Sequence, residues 1–282
     1  MNFELDFTNS LNVPYNLLLE GVAYAKNKRI KSITLRQEGF EIPDIDLSAL
    51  SLYPDIETLN FSVRIGKNSN IDGIYILKHL KRLSYAGYDS IPLDHTQLTS
   101  ITYLYTHFSK NHLEGNARFQ NLNNLETLHL WHLNHTDCVF LSEINTLKNL
   151  ELTHGSLPTI EGLQYLPNLE HLKLDYLPKL KDINAINQCD KISSLTILRS
   201  KNIYLESLKE SNIKNLFIDK VDNLEFIKDF NSLENLYIYD DIKNGDLNPI
   251  FYNNSLKKIE IYSYKKKYNR TEEQIKEFLN KK

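Results

Sequence analysis

The chain has 282 residues, is 41% hydrophobic and carries a formal net charge of −3, which gives no support to nucleic acid as a partner. The periodic spread of its apolar residues excludes wholesale disorder, and no run of about 18 apolar residues is present to span a membrane. Cys138 and Cys189 are the only cysteines; they make no disulfide framework and fit a reducing compartment.

The N-terminus, MNFELDFTNSLN, has no basic start, no apolar core of signal-peptide length and no small-residue cleavage site, so a cytoplasmic location is expected. Residues 1–29 read as a cap with an atypical first repeat. Phe3 to Phe7 alternate like a strand, and Leu19 to Leu35 follow the spacing of later stretches.

From Ile30 the pattern apolar-x-x-apolar-x-apolar recurs eleven times, starting at Ile30, Ile56, Leu80, Leu98, Leu125, Leu147, Leu169, Ile192, Ile213, Leu233 and Leu256. The starts are 18 to 27 residues apart, and the phase steadies after Leu125. Between them, Ile71 to Tyr85 and Ile160 to Leu174 share one grid, with apolar residues every third position tightening to every second. Such a unit cannot bury its apolar side alone; stacked copies bury a continuous core.

The repeats LETLHL, LKNLEL, LEHLKL and LENLYI resemble the first half of the leucine-rich-repeat signature, over roughly residues 19–264. Their period is similar to that of the short-repeat subclass found in bacterial internalins and phosphatase-regulatory proteins. The resemblance implies an α/β solenoid, a curved horseshoe with a parallel concave sheet of about eleven short strands. The array would run over 30–264. The family's turn asparagine is absent: its position holds Leu133, Gly155, Leu177, Ser200, Val221 and Asp241, which predicts looser turns.

Thr106 to Gln120 form a longer, polar connection, either a tolerated insertion or a functional loop. Lys265 to Lys267 read as a solvated segment. Thr271 and Gln274 then form a capping box for a short closing helix, so 265–282 is expected to cap the array.

Strand alternation places the residues between the core leucines on the outer sheet face. The early strands offer small polar groups such as Ser32, Thr34, Thr58 and Asn60, and the register near Leu98 is ambiguous. The later strands offer His129 and Trp131, then Glu151, His171, Lys173 and Asp175, then Phe217, Asp219, Tyr237, Tyr239, Glu260 and Tyr262. Trp131, Phe217, Tyr237, Tyr239 and Tyr262 are candidate anchors, because aromatic residues are enriched at interface hot spots. Lateral packing across neighbouring strands is the alternative role for them. Glu151, Asp175, Asp219 and Glu260 give the face an acidic bias that suggests a partner with a basic patch.

His129, His132 and His135, with Asp137 and Cys138, have metal-like spacing. A strand followed by a turn does not make them converge, so no metal or other cofactor is expected. His129, His154 and His171 lie in successive repeats and read as polar decoration of a binding face. No nucleophile elbow, zinc-protease, P-loop or dinucleotide motif is present, so no enzyme activity is expected. The expected function is recognition of another protein, as an inhibitor or regulatory subunit. The resemblance extends this to nuclease inhibitors and phosphatase regulators, and an acidic concave face covering a basic toxin would fit a toxin-neutralising immunity protein. An exported adhesin or effector and a carbohydrate-binding protein are the alternatives. Richness in Asn, Lys, Ile and Tyr hints at an AT-rich, bacterial genome.

Overall fold

A computed structural model describes residues 3–37, 39, 41–85, 91–108 and 119–281. The chain divides into two compact units, residues 1–132 and 133–282. The first contains β1 (Glu4–Leu5), β2 (Leu11–Pro14), α1 (Leu18–Lys28), β3 (Ser32–Arg36), β4 (Thr58–Ser62), α2 (Gly73–Ile76), β5 (Arg82–Tyr85), β6 (Tyr103–His107) and β7 (Thr127–Leu133), whose last residue opens the second unit. β1 is antiparallel to β2, and β2 to β7 are parallel neighbours in chain order. The second unit contains β8 (Asn149–Gly155), β9 (His171–Asp175), β10 (Ser194–Leu198), β11 (Asn215–Val221), β12 (Asn235–Ile242), β13 (Lys258–Ile261) and α3 (Glu272–Asn280). β8 to β13 are likewise parallel in chain order. β1 and β2 stand outside the eleven strands that the repeat pattern predicts.

Each unit is a parallel-strand solenoid, and the apolar grid is its core. In one repeat Leu169, Leu172, Leu174, Leu177, Leu180, Ile183 and Ile186 are all buried. The three-residue spacing opposite the strands gives short 3-10 turns, among them Leu163–Tyr165 and Asn184–Gln188. Residues three apart eclipse in that helix and present one apolar row to the core. Gly73 and Gly162 hold equivalent places in the two matching stretches. A Cβ on Gly73 would lie 1.9 Å from the Leu47 carbonyl oxygen, and one on Gly162 2.4 Å from the Val139 nitrogen, at a left-handed φ of +106°. Glycine is needed there because consecutive repeats touch backbone to backbone.

The strand expected from Leu98 begins three residues later. Ile101 and Leu104 are fully buried and Thr106 is nearly so, while Leu98 ends the 3-10 turn His95–Gln97. Thr106 in the third core position hides the pattern, because the slot usually holds an apolar residue.

The turns are held together in two places despite the missing asparagine. At or just past the ends of their strands, His132, His154, Tyr176 and Arg199 adopt left-handed φ values of 62°, 58°, 54° and 51°. Each bends the chain so that the residues after three of them, Leu133, Leu177 and Ser200, remain buried. Before the strands, a side-chain ladder reaches back to the previous repeat. Asn124 Nδ2 donates to the Thr99 carbonyl at 2.9 Å, Asn168 to Asn145 at 2.7 Å and Asn212 to Asp190 at 3.2 Å. Ser232 Oγ donates to Ser211 at 2.7 Å in the same way. The expectation of looser turns therefore gives way to capping from the opposite end of the strand.

At the first position of this strand edge, charges alternate along the stack. Glu57 lies between Lys31 at 2.6 Å and Lys81 at 3.4 Å, and Glu234 between Lys257 at 2.8 Å and Lys214 at 4.0 Å. The lysine hydrogen bonds hold both glutamates below the usual carboxylate range. At the far end, α3 starts on Thr271, whose hydroxyl accepts from the Gln274 N–H while Gln274 Oε1 accepts from the Thr271 N–H. Ile275 is buried, and Phe278 packs on Phe251 with ring centroids 4.8 Å apart.

Candidate functional site

In the second unit, strand register sets the outward side chains in rows. One row runs Glu151, Lys173, Thr196, Phe217, Tyr237, Glu260. The next starts Thr153, Asp175, Leu198, and two residues beyond Phe217, Tyr237 and Glu260 lie Asp219, Tyr239 and Tyr262. Parallel strands sit about 4.8 Å apart, which suits face-to-face stacking of neighbours in one row. The Phe217 and Tyr237 rings stack at 4.3 Å and 4°, and those of Tyr239 and Tyr262 at 5.0 Å and 7°. Phe217 and Tyr237 are half-buried, whereas Tyr239 is 42% and Tyr262 58% exposed. Stacking fixes the rings and leaves one broad aromatic shelf on a rigid sheet. The lateral packing weighed for these aromatics is present, and the rings also stay partly exposed.

The acidic bias expected of this face is largely offset by the chain's own donors. Glu151 pairs with Lys173. Asp175 is buried and accepts from Arg199 Nε at 2.8 Å and Nη2 at 2.5 Å. Asp219 accepts the backbone N–H groups of Arg199 at 2.7 Å and Lys220 at 2.8 Å. Glu260 takes Lys258 Nζ at 2.7 Å and the Tyr262 hydroxyl at 2.8 Å, and these bonds, Lys258 first, lower its pKa. His171 is exposed at the start of β9. The shelf thus lies among internally matched ions rather than within a negative field.

In the first unit, His129 and Trp131 face outward as expected, and correcting the β6 start adds Tyr103, Tyr105 and His107 to the same face. Tyr105 meets His129 edge-on at 4.6 Å, and His107 stacks on Trp131 at 6.3 Å and on His132 at 5.4 Å. The Arg82 guanidinium lies 3.9 Å from the Tyr103 ring centroid. A hollow of about 460 Å³ opens beside Trp131, Tyr105, His107, Phe61 and Arg64. Reading the strand from Ile101 would have found these residues in the sequence.

Among the described residues no group of three or more His, Cys, Asp and Glu converges as metal ligands. Cys138 and Cys189 are core residues, and burial pushes both thiols up, Cys189 to about 12. His135 packs against Phe140 at 4.7 Å, and His154 stacks on Tyr176 at 5.0 Å. Most of the 106–120 connection lies outside the described residues. No described helix is long and apolar enough to cross a membrane.

No family model matches the sequence, and no curated protein matches it. Solved structures do. The chain is similar to an internalin, inlF, from Listeria monocytogenes, with 16% identity, 89% of this chain and 79% of that chain covered, and a TM-score of 0.53. It is similar to InlP of Listeria monocytogenes with 16% identity, 81% of this chain and 62% of that chain covered, and a TM-score of 0.51. At such identity the likeness is one of fold.

Proposed function

We propose that this leucine-rich-repeat solenoid is a non-enzymatic protein-binding module, and that the outward strand face of its second unit receives the partner. The observation that carries this is the shelf of Phe217, Tyr237, Tyr239 and Tyr262, pre-stacked and partly exposed. Rigid aromatics lose little side-chain freedom on binding and supply apolar area, which is why they dominate interface energetics. The matched ions around them favour a partner surface that is apolar at its centre and mixed in charge at its rim. A regulatory or inhibitory subunit working in the cytoplasm, including a toxin-neutralising one, fits such a face. Sugar binding is the rival reading, since aromatic rings also stack on pyranosides.

Affinity capture from the native host tests the proposal, with wild type, Tyr239→Ala/Tyr262→Ala and Trp131→Ala as baits. One protein recovered by wild type and lost with the folded double variant is the expected result. Loss with Trp131→Ala alone moves the site to the first unit. Equal recovery by all three baits removes the strand face from consideration, and release of the partner by simple sugars favours the rival.

A further inference from the structure

Ser200 follows the left-handed turn at Arg199 and stands where Leu133 and Leu177 stand in earlier repeats. All three are buried, but a hydroxymethyl fills far less space than an isobutyl group. The hydroxyl is satisfied, accepting from the Leu177 N–H at 3.0 Å and donating to the Leu198 carbonyl at 3.0 Å. Beside it opens a hollow of about 330 Å³, walled by Ile197, Ile203, Leu205, Ile218, Val221 and Phe226. Ile203 and Leu205 are half-exposed, whereas Leu180 and Ile183 of the previous repeat are buried. The space is therefore an open pocket with a mixed apolar and polar lining, at the low end of the size range of ligand sites, about 300–1,000 Å³.

Its rim carries Lys201, Lys220 and Lys243 against Glu206, Asp219 and Asp222. Lys243 pairs with Asp222, and Asp219 is held by two backbone N–H groups. A balanced rim attracts neither a free anion nor a free cation, but it suits the dipoles of a peptide backbone. Asp219, on the pocket wall, lies two residues beyond Phe217 on β11, so the pocket adjoins the shelf along that strand. We propose that this pocket receives a single aliphatic or aromatic side chain of the partner protein, with the flanking peptide groups lying against the charged rim. The proposal rests on the protein-binding reading and names the partner chemistry at one point of it.

The test is a methyl NMR titration of the intact chain with N-acetyl-leucinamide and N-acetyl-phenylalaninamide. N-acetyl-glycinamide, isovalerate and isopentylamine serve as controls. Saturable shifts of the Ile197, Ile203 and Ile218 methyls with a side-chain-bearing amide, and none with the glycine amide, are expected. Two variants add bulk at the lining from successive repeats, Ser200→Leu and Val221→Phe, and each that keeps a folded methyl spectrum should bind at least tenfold more weakly. No saturable shift, equal binding to a filled and folded variant, or tighter binding of either charged control would overturn the proposal. Tyr239→Ala/Tyr262→Ala should leave this titration unchanged while abolishing partner capture, so failure of the pocket and failure of the shelf are separable.

Discussion

Arg199 grips Asp175 with two parallel hydrogen bonds, Nε to Oδ1 at 2.8 Å and Nη2 to Oδ2 at 2.5 Å, from the next repeat along. The Asp175 side chain is 6% exposed and that of Arg199 62%, so the carboxylate is the desolvated partner. The same arginine occupies a left-handed turn and gives its N–H to Asp219. Repeats are thereby tied at the end of the strand, where an asparagine would otherwise do it.

Replacing Asp175 with alanine should cost about 1–3 kcal/mol, the usual range for a lost charged hydrogen bond. Arg199→Lys should keep only part of the stability that Arg199→Ala loses, because an ammonium cannot reproduce the planar fork. Urea unfolding without partner measures both. An unchanged midpoint for Asp175→Ala would show that the pair adds nothing to stability.

Gly162→Ala places a methyl group against the Val139 nitrogen and the Cys138 carbonyl carbon, both backbone. Neither neighbour can rotate away, and the left-handed φ adds its own penalty of about 1–2 kcal/mol. A loss of about 2 kcal/mol or more is expected, read as a fall of several degrees in Tm. Gly39 has a left-handed φ but open space around the added Cβ, so Gly39→Ala should lose only the conformational part.

Asp241 accepts from Lys267 Nζ at 2.9 Å and contacts the Tyr268 hydroxyl at 3.2 Å. The lysine hydrogen bond, above all, lowers its pKa in the folded state. A depressed carboxylate stabilises the fold fully above its unfolded pKa of about 3.9, and that contribution is lost as pH falls through the folded value. The Tm gap between wild type and Asp241→Asn should therefore stay level from about pH 8 to 5 and close below about pH 4. A gap that persists unchanged into strong acid would mean that charge at Asp241 is irrelevant.

The core was legible in the sequence because its physics is periodic. Leu169, Leu172 and Leu174 must face one way once a strand is assumed, and one slot filled by Thr106 was enough to misplace the β6 start. Outward positions of β7 to β13 followed from the same alternation, except that Thr153 and Asp175 are buried, Asp175 in the grip of Arg199. What could not be read is what neighbouring repeats do to each other. Lys173 and Glu151 are 22 residues apart, and Arg199 and Asp175 24, so the loss of acidic bias appears only when register sets them side by side. The Ser200 hollow was equally hidden, since a serine in a leucine slot reads as a turn residue until its surroundings are known. Left-handed turns at Tyr176 and Arg199 carry no sequence signal either, because neither residue type favours that conformation.

The relocated ladder offers the sharpest check on how the repeats are joined. Asn168 donates to the Asn145 carbonyl at 2.7 Å and Asn212 to the Asp190 carbonyl at 3.2 Å, each reaching one repeat back. Alanine at either site should cost about 1 kcal/mol, the net value of one hydrogen bond with its acceptor still partly solvated. Asn168 should cost more, because its bond is shorter and its Oδ1 also accepts from Lys191 Nζ at 2.5 Å. Lys191→Ala separates these contributions, since it removes the bond to Asn168 Oδ1 and leaves the Asn168 donor in place. The two ladder sites share no partner and lie two strands apart, about 10 Å, so the double alanine variant should show the sum within about 0.5 kcal/mol. A double variant well short of the sum would show that the repeats relax together and that the ladder acts as one cooperative element.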